Sequence, residues 1–549
     1  MDNKKLADLL FPNITKTVQY FEDKYPPRST HGVVTRFAPS PTGVDLHLGH
    51  LFNCLVASTL AKRSNGVYFL RIEDTDKKRE VKGSVEAILK TLKHYNIEFT
   101  EGRTFGNTDK GKYGPYLQSE RAEIYQTVAK KLISEGKAYP CFCTDHEIQQ
   151  IRQTQQELKC DNVGYYGKFA KCRNLTYEQI EQNIKDGKPF VIRLKNTAVP
   201  GDRFVYNDAI KGKIEMDANI NDAVLVKSDG IPPYNFAHVC DDHFMRTTLV
   251  IRGEEYSGTP VSEHVQIFNA CGFDCPQYAH NPHIQKLDNG KKRKLSKSKD
   301  PEASVSFYTK DGYPVEAVID YLMNLANSDF EAWRVKNPTN NVLDFDFKLN
   351  KLSTSGSLFD IDKLNNISKN FISLLSAQEV YDNVLVWAKE YNNAFAELLV
   401  TNKDFCLKMF NIDRNTAKPR KDIAKWSDIP YLYSYFFSEE YNKLNATEFE
   451  WPSNFTQENI NEILCEYASV YNQNDEKDVW FQKIKDVSLK FNCATDMKEY
   501  KKNPQNYAGS VADVSTIIRL KLTGRKNTPD LYEIAKLLGD SEVKRRLKR

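Results

Sequence analysis

The sequence predicts an α/β protein: a doubly wound parallel sheet carrying an inserted subdomain, followed by an all-α C-terminal region. Three observations predict it. A β-prone run, Gly32-Val33-Val34-Thr35, leads through a Pro/Gly turn into a helical pattern at Leu51–Lys62, and a second strand pattern starts at Val67, at crossover distance. The sheet pattern breaks off near residue 138, then resumes at Ala223-Val224-Leu225-Val226-Lys227-Ser228 and again at Thr248–Arg252. Beyond about residue 365 the chain alternates amphipathic helix faces, such as Phe371, Ile372, Leu374 and Leu375 or Ile460, Ile463 and Leu464, with polar turns.

At 549 residues the chain exceeds one core, and its length suggests about two to four domains. Hydrophobic residues at 40% and aromatics at 12% suffice for globular cores. The absence of an 18-residue apolar run argues against a membrane span. Met1 to Pro27 lacks the basic-then-apolar pattern of a signal peptide. Eleven cysteines, an odd number, point to reduced thiols and a cytoplasmic location. A net charge of +4 permits local basic surfaces and identifies no partner.

In chain order, Leu6, Leu9, Leu10, Ile14 and Val18 have the spacing of a docking helix closed by Pro26-Pro27; a solvated extension is the alternative. The stretch Arg36 to His50 is a strand, a Pro/Gly turn and a helix mouth. The free N–H groups and positive dipole end of that helix suit a phosphate, and His47 and His50 can donate to its oxygens. Gly49, with no Cβ, lets a flat base approach the backbone. Val67 to Asp76 delivers Glu73, Asp74 and Asp76 to the carboxyl end of the second strand, where open α/β sheets hold ligands. Glu73 suits a substrate ammonium, whereas Asp74 and Asp76 read equally as helix caps.

Gln118 to Lys137 has a helix pattern, and the Gln-rich Glu147–Leu158 reads as an exposed helix. Cys141 and Cys143, with Cys172 and a fourth group from Tyr166 or Cys160, form one candidate zinc site; reduced cysteines beside a compact turn are the other reading. Pro189 to Asn207 is short and β-like and, with the cysteine region, reads as an insertion. Arg252, at a strand's carboxyl end, is placed either to fork onto a substrate carboxylate or to make a structural ion pair. Lys291 to Lys299, rich in charge and serine, reads as a mobile loop. Trp426 to Tyr441, with Tyr431, Tyr433, Tyr435, Phe436 and Phe437, is either a stacking surface or core. The basic run Lys544 to Arg549 reads as a frayed, solvated terminus.

His47-Leu48-Gly49-His50 and Lys294-Leu295-Ser296-Lys297-Ser298 resemble the HIGH and KMSKS signatures of class I aminoacyl-tRNA synthetases. RFAPSPTG (Arg36 to Gly43), RIEDTD (Arg71 to Asp76), Tyr234 to Asp242 and IRGEE (Ile251 to Glu255) narrow the resemblance to the glutamyl-tRNA synthetases of bacterial type. Ser355 to Asp360 and Ile518 to Arg525 are similar to later segments of that family. His238 and Tyr256 depart from its pattern, which often has Asn and Trp there.

The resemblance implies a Rossmann-type catalytic domain (32–138 and 221–300) behind an N-terminal extension (1–31). An acceptor-stem subdomain (139–220) is inserted, and a stem-contact region (301–368) and a helical anticodon-binding domain (369–549) follow. It implies a monomeric, cytoplasmic enzyme that makes glutamyl-adenylate from L-glutamate and ATP with Mg²⁺, then glutamylates the terminal adenosine of tRNA(Glu). Activation is expected to need bound tRNA. His47, His50, Lys294 and Lys297 would be catalytic. With Thr42, Gly43, Gly49 and Glu254 they would bind ATP. Arg36, Ala38, Ser40, Glu73, Tyr234, His238 and Arg252 would bind glutamate.

A shortened paralogue would lack the C-terminal domain. A glutaminyl enzyme would carry a β-rich C-terminal half and would not need Arg252, and a non-catalytic tRNA-binding module would not need both histidines and both lysines.

Overall fold

The computed structural model describes residues 2–444 and 449–548, and the chain divides into two units, Met1–Phe307 with Ile319–Asp360 and Tyr308–Val318 with Ile361–Arg549. In the first unit, α1 (Asn3–Leu10) and α2 (Val18–Lys24) precede the sheet. Asp2 and Thr17 cap them by accepting from backbone N–H groups. Leu6, Leu10, Ile14 and Phe21 are buried, so the N-terminal segment docks rather than extending into solvent.

The sheet is built from β1 (Val34–Phe37), α3 (Leu48–Arg63), β2 (Val67–Leu70), α4 (Ser84–His94), β3 (Glu101–Thr104) and β4 (Thr108–Lys110). β1 pairs parallel with β2 and β2 parallel with β3, while β4 returns antiparallel on the edge. Helix α5 (Ala122–Ser134) is buried through Ile124, Tyr125, Val128, Leu132 and Ile133, and Lys130 Nζ donates to the Phe11 and Ile14 carbonyls (3.1 and 2.8 Å). Burying each large aliphatic chain there is worth about 2 kcal/mol.

The insertion holds β5 (Ala138–Cys141), α6 (Asp145–Glu157), α7 (Tyr177–Lys185), β6 (Val191–Leu194), the hairpin β7 (Arg203–Asp208) and β8 (Gly212–Asp217), and β9 (Val224–Val226). β9 pairs antiparallel with β6 in the order β5-β6-β9. The run at Ala223 therefore completes the insertion's sheet instead of resuming the parallel one. Its buried apolar side chains suit either sheet, so hydrophobicity alone could not choose.

The parallel fold resumes with α8 (Tyr234–Phe244), β10 (Leu249–Gly253), α9 (Thr259–Cys271) and β11 (Gln277–Asn281). β10 pairs parallel with β11 and lies beside β1, where Thr248 N–H donates to the Val34 carbonyl (2.9 Å). Lys291 to Lys299 is not wholly a loop: β12 (Gln285–Asp288) and β13 (Lys291–Lys294) form an antiparallel hairpin. Asn289 and Gly290 both take positive φ (49° and 77°), the turn that matches strand twist. Only Leu295 to Lys299 lies outside the strand.

Among its described residues, the second unit is helical apart from a two-residue parallel pairing, Cys493–Ala494 with Gly509–Ser510. Trp426, Tyr433, Tyr435, Phe436 and Tyr441 are core, whereas Tyr431 is 69% exposed. The basic tail is not frayed. It forms the helix Asp540–Lys548, in which Arg546 is fully buried and donates to the Tyr435 and Leu522 carbonyls (2.8 and 2.6 Å); Arg549 lies outside the described residues.

Candidate active site

The two signatures meet at the mouth of α3. His47 is the N-cap of that helix, and its Nδ1 accepts the Gly49 N–H at 2.9 Å. Nε2 therefore carries the proton and donates to the Leu295 carbonyl (3.0 Å), inside the second signature. Lys297 Nζ donates to the Asp45 carbonyl, and the Val305 N–H to that of Leu46. Burial lowers the His47 pKa, with Lys294 and Lys297 adding to the effect. A Cβ on Gly49 would stand 3.2 Å from His47 Nδ1, so glycine also spares the capping imidazole.

A cleft of about 660 Å³ opens here, lined by His47, Gly49, His50, Glu255, His283 and Lys294 among others. His50 is exposed in this cleft, yet the protein packed around it lowers its pKa to about 4, with His47 and Lys297 adding to the effect, so it is neutral at pH 7. Lys294 Nζ lies 3.5 Å from Glu255 Oε1. Arg293 clamps the base of the loop, pairing with Asp288 (2.7 Å) and Asp300 (2.6 Å), while Asp300 also accepts from Ser296 N–H (3.0 Å).

Beside the cleft lies a buried network of charges. Arg71 donates to Asp242 Oδ1 (2.7 Å) and Glu73 Oε1 (3.0 Å), Arg36 Nε to Asp242 Oδ1 (3.1 Å), and Arg121 Nε to Asp241 Oδ1 (2.6 Å). Burial raises the Glu73 pKa against the opposing pull of Arg71 and Arg36. Arg252, 7% exposed, donates instead to Tyr234 OH (3.2 Å), His280 Nε2 (3.0 Å), His264 Nδ1 (3.4 Å) and the Tyr256 carbonyl (3.3 Å). Among the described residues it makes no ion pair, so the structural-ion-pair reading of Arg252 does not hold.

Of the expected site residues, His47, Gly49, His50 and Lys294 line the cleft, while Arg36, Glu73, Tyr234, His238 and Arg252 belong to the buried network beside it. Glu73 lies beyond the end of β2, held by its backbone N–H on the Pro39 carbonyl (3.0 Å). Glu254 does not line the cleft: it pairs with Lys211 and accepts from His283 N–H (2.8 Å), because the short 3-10 turn at Glu254–Tyr256 hands that role to Glu255. His238 is fully buried against Tyr234 and does not line the cleft; its Nδ1 accepts from Arg36 Nη2 (3.3 Å), so it supports that arginine. Ala38 is half-buried and Ser40 and Thr42 are exposed; neither Thr42 nor Gly43 lines the cleft. Sequence reasoning missed Arg71, Asp241, Asp242, His264 and His280. Arg71 had a signal, since it stands two residues before Glu73, which puts both on one face of an extended chain.

The sulfurs of Cys141, Cys143 and Cys172 lie within 4.8 Å of one another, with Cys143 and Cys172 at 3.6 Å. Thiolates on tetrahedral zinc stand about 3.8 Å apart, given Zn–S near 2.3 Å. The further side chain that approaches these sulfurs is Tyr165, not Tyr166: its hydroxyl is 3.3 and 3.4 Å from the Cys141 and Cys143 sulfurs, while Tyr166 OH donates to the Asn162 carbonyl (2.7 Å), and Cys160 is not among the clustered cysteines. Residue 166 is extended, so neighbouring side chains there point to opposite sides.

Residues 32–366 match the model of the class I tRNA synthetase (E and Q) catalytic domain, and 394–549 that of an anticodon-binding domain. The chain belongs to the class I tRNA synthetases of this E and Q family. The synthetase is 48% identical over 553 residues to the glutamate–tRNA ligase of Acetivibrio thermocellus, covering 100% of both chains. It is 45% identical to that of Clostridium perfringens, covering 100% of this chain and 99% of the other. The crystal structure of a glutamate–tRNA ligase from Elizabethkingia meningosepticum in complex with its amino acid is similar at a TM-score of 0.72 and 27% identity, over 94% of this synthetase and 98% of that chain. No described helix is long and apolar enough to cross a membrane.

Proposed function

We propose that this synthetase is a glutamate–tRNA ligase, which activates L-glutamate with ATP and transfers it to the 3′-terminal adenosine of tRNA(Glu). One observation carries the reading: Arg252 is a buried cation surrounded by neutral acceptors, beside a cleft built from both signatures. An uncompensated buried charge is costly, and a substrate carboxylate removes the cost, so glutamate is bound and neutral glutamine rejected. Glu73 takes the α-ammonium, and Arg36, held by Asp242, faces the other carboxylate.

The attacking carboxylate is already ionised, so no general base is needed; the task is to bring two anions together. His50 and the α3 mouth hold phosphate oxygens, while His47 ties Leu295 to that mouth. Lys294 and Lys297 exchange Glu255 and the Asp45 carbonyl for the α-phosphate's developing charge. ATP arrives as its Mg²⁺ complex. The Cys141, Cys143, Cys172 and Tyr165 cluster holds zinc as a structural staple of the insertion. The enzyme works as a cytoplasmic monomer, and the C-terminal unit reads the anticodon, with the exposed Tyr431 under Arg525 as a stacking platform (3.8 Å to the ring centre).

The test is charging of radiolabelled glutamate, with ATP and Mg²⁺, onto separate transcripts of tRNA(Glu) and tRNA(Gln). Charging of the first alone supports a discriminating enzyme, and charging of both a relaxed one. Charging of neither refutes the proposal.

A further inference from the structure

The other arginines of the network differ from Arg252 in their partners. Arg36 and Arg71 lie on Asp242, Arg71 also on Glu73, and Arg121 on Asp241. Arg252 is held from behind by two imidazoles instead, and the hydrogen bonds around them define each ring's tautomer. Guanidinium groups only donate, so His264 Nδ1 and His280 Nε2 are bare acceptors. His264 Nε2–H then donates to Asn235 Oδ1 (2.9 Å), and His280 Nδ1–H to Asp208 Oδ2 (2.6 Å). Both rings are fully buried, and His264 stacks on His238 at 4.2 Å. Burial lowers both pKa values, with His238 and Arg252 lowering His264 further and Arg252 opposing the Asp208 hydrogen bond at His280.

Three carboxylates stand one side chain further out: Asp208 behind His280, Glu263 behind Asn235, and Asp242 behind His238, on which His264 stacks. Asp208 is kept one imidazole away from Arg252. The oxygens of Asp208 also accept from the N–H groups of Ile210 (2.9 Å), Lys211 (2.9 Å) and His280 (3.1 Å). Arg252 is thus oriented by groups that do not neutralise it. A carboxylate in either histidine's place would orient it equally well and cancel the charge.

We propose that His264 and His280 are positioning residues that aim Arg252 while leaving its charge uncompensated, and that this neutrality sets the enzyme's preference for glutamate over glutamine. This rests on the glutamate–tRNA ligase reading. It assigns a specificity role to two residues from separate elements, α9 and β11, that touch no substrate themselves.

The test compares H264E with H264Q in tRNA-dependent ATP–pyrophosphate exchange, using glutamate and glutamine separately. Gln keeps a neutral acceptor toward Arg252 and a donor toward Asn235. Glu places a carboxylate on Arg252 and gives up the donor toward Oδ1 of Asn235, whose amide already serves Glu263. The KM for glutamate in H264E should exceed that of H264Q by about 30-fold, with kcat within about threefold and the glutamate-over-glutamine ratio falling by a similar factor. Equal KM and equal discrimination in the two variants would overturn the proposal. Should H264E not fold, H264A carries the test: its KM for glutamate should rise about tenfold, with H264Q restoring it. Identical behaviour of Ala and Gln there would overturn it as well. A wild-type enzyme that does not activate glutamate refutes the ligase reading itself, whereas a normal wild type with indifferent variants refutes only this inference.

Discussion

Replacing Asp242 by Asn tests the charge network most directly. Asp242 is 1% exposed, and its Oδ1 receives Arg71 Nη1 (2.7 Å), Arg36 Nε (3.1 Å) and Thr247 Oγ1 (3.2 Å). Against the burial that would raise it, Arg36 and Arg71 hold its pKa below the ordinary carboxylate value, so it is ionised at neutral pH. The amide keeps shape and one acceptor but removes the charge. Arg71 retains Glu73 and, at 3.7 Å, Asp241, while Arg36 loses the carboxylate it pairs with. Removing one partner of a buried pair costs about 3–5 kcal/mol, and no solvent is present to screen the orphaned cation. We expect D242N to lose about 4 kcal/mol of protection, near the middle of that range. It should be read by hydrogen exchange in peptides from α8 and β10, because the two-unit chain does not guarantee a single unfolding transition. KM for glutamate should rise with it, since Arg36 is no longer anchored. Protection within about 1 kcal/mol of wild type would refute the reasoning, because it would mean that a neutral group balances both arginines.

G49A should lower kcat/KM for ATP about 10- to 100-fold with little change in melting temperature, since its Cβ would crowd the His47 ring while Ala favours the helix; steady-state kinetics beside calorimetry would check this. One zinc per chain should be found by elemental analysis, lost in C143S and weakened in Y165F, with Y166F unchanged. Glu542 is held at a pKa of about 2, below its ordinary 4.5, by Arg545 and then Arg546, with burial opposing. Because the folded value is the lower, its stabilisation is present above about pH 4.5 and is lost as pH falls toward 2. Partial solvation discounts this to about 1 kcal/mol, and acid titration of thermal unfolding should show a shallower loss in E542Q. Y431A should weaken tRNA binding about tenfold in filter binding while leaving the fold intact, as the ring is exposed and carries Arg525 on its face.

By itself the sequence determined the strand–turn–helix at Arg36 to His50, the pairing of two distant signatures and the inserted segment, and it singled out Arg252 and Glu73 as candidate substrate groups. These are local matters of periodicity, turn chemistry and residue type. The Asn289-Gly290 hairpin was equally local, but Lys291–Lys299 was read from its charge and serines alone and the turn signal before it went unused. Only the tertiary structure decided that Tyr165 rather than Tyr166 faces the cysteines, since a shift of one residue along an extended chain reverses the side chain. It alone showed the terminal basic run folded into a helix, with Arg546 buried against carbonyls from two other segments. It also decided which charges cancel. Arg36 meets Asp242 across 206 residues and Arg252 meets His280 across 28, and no spacing rule encodes such pairs. Whether a buried arginine is neutralised or left free for a substrate depends on which side chains packing brings within about 3 Å of it, and that is a property of the folded chain.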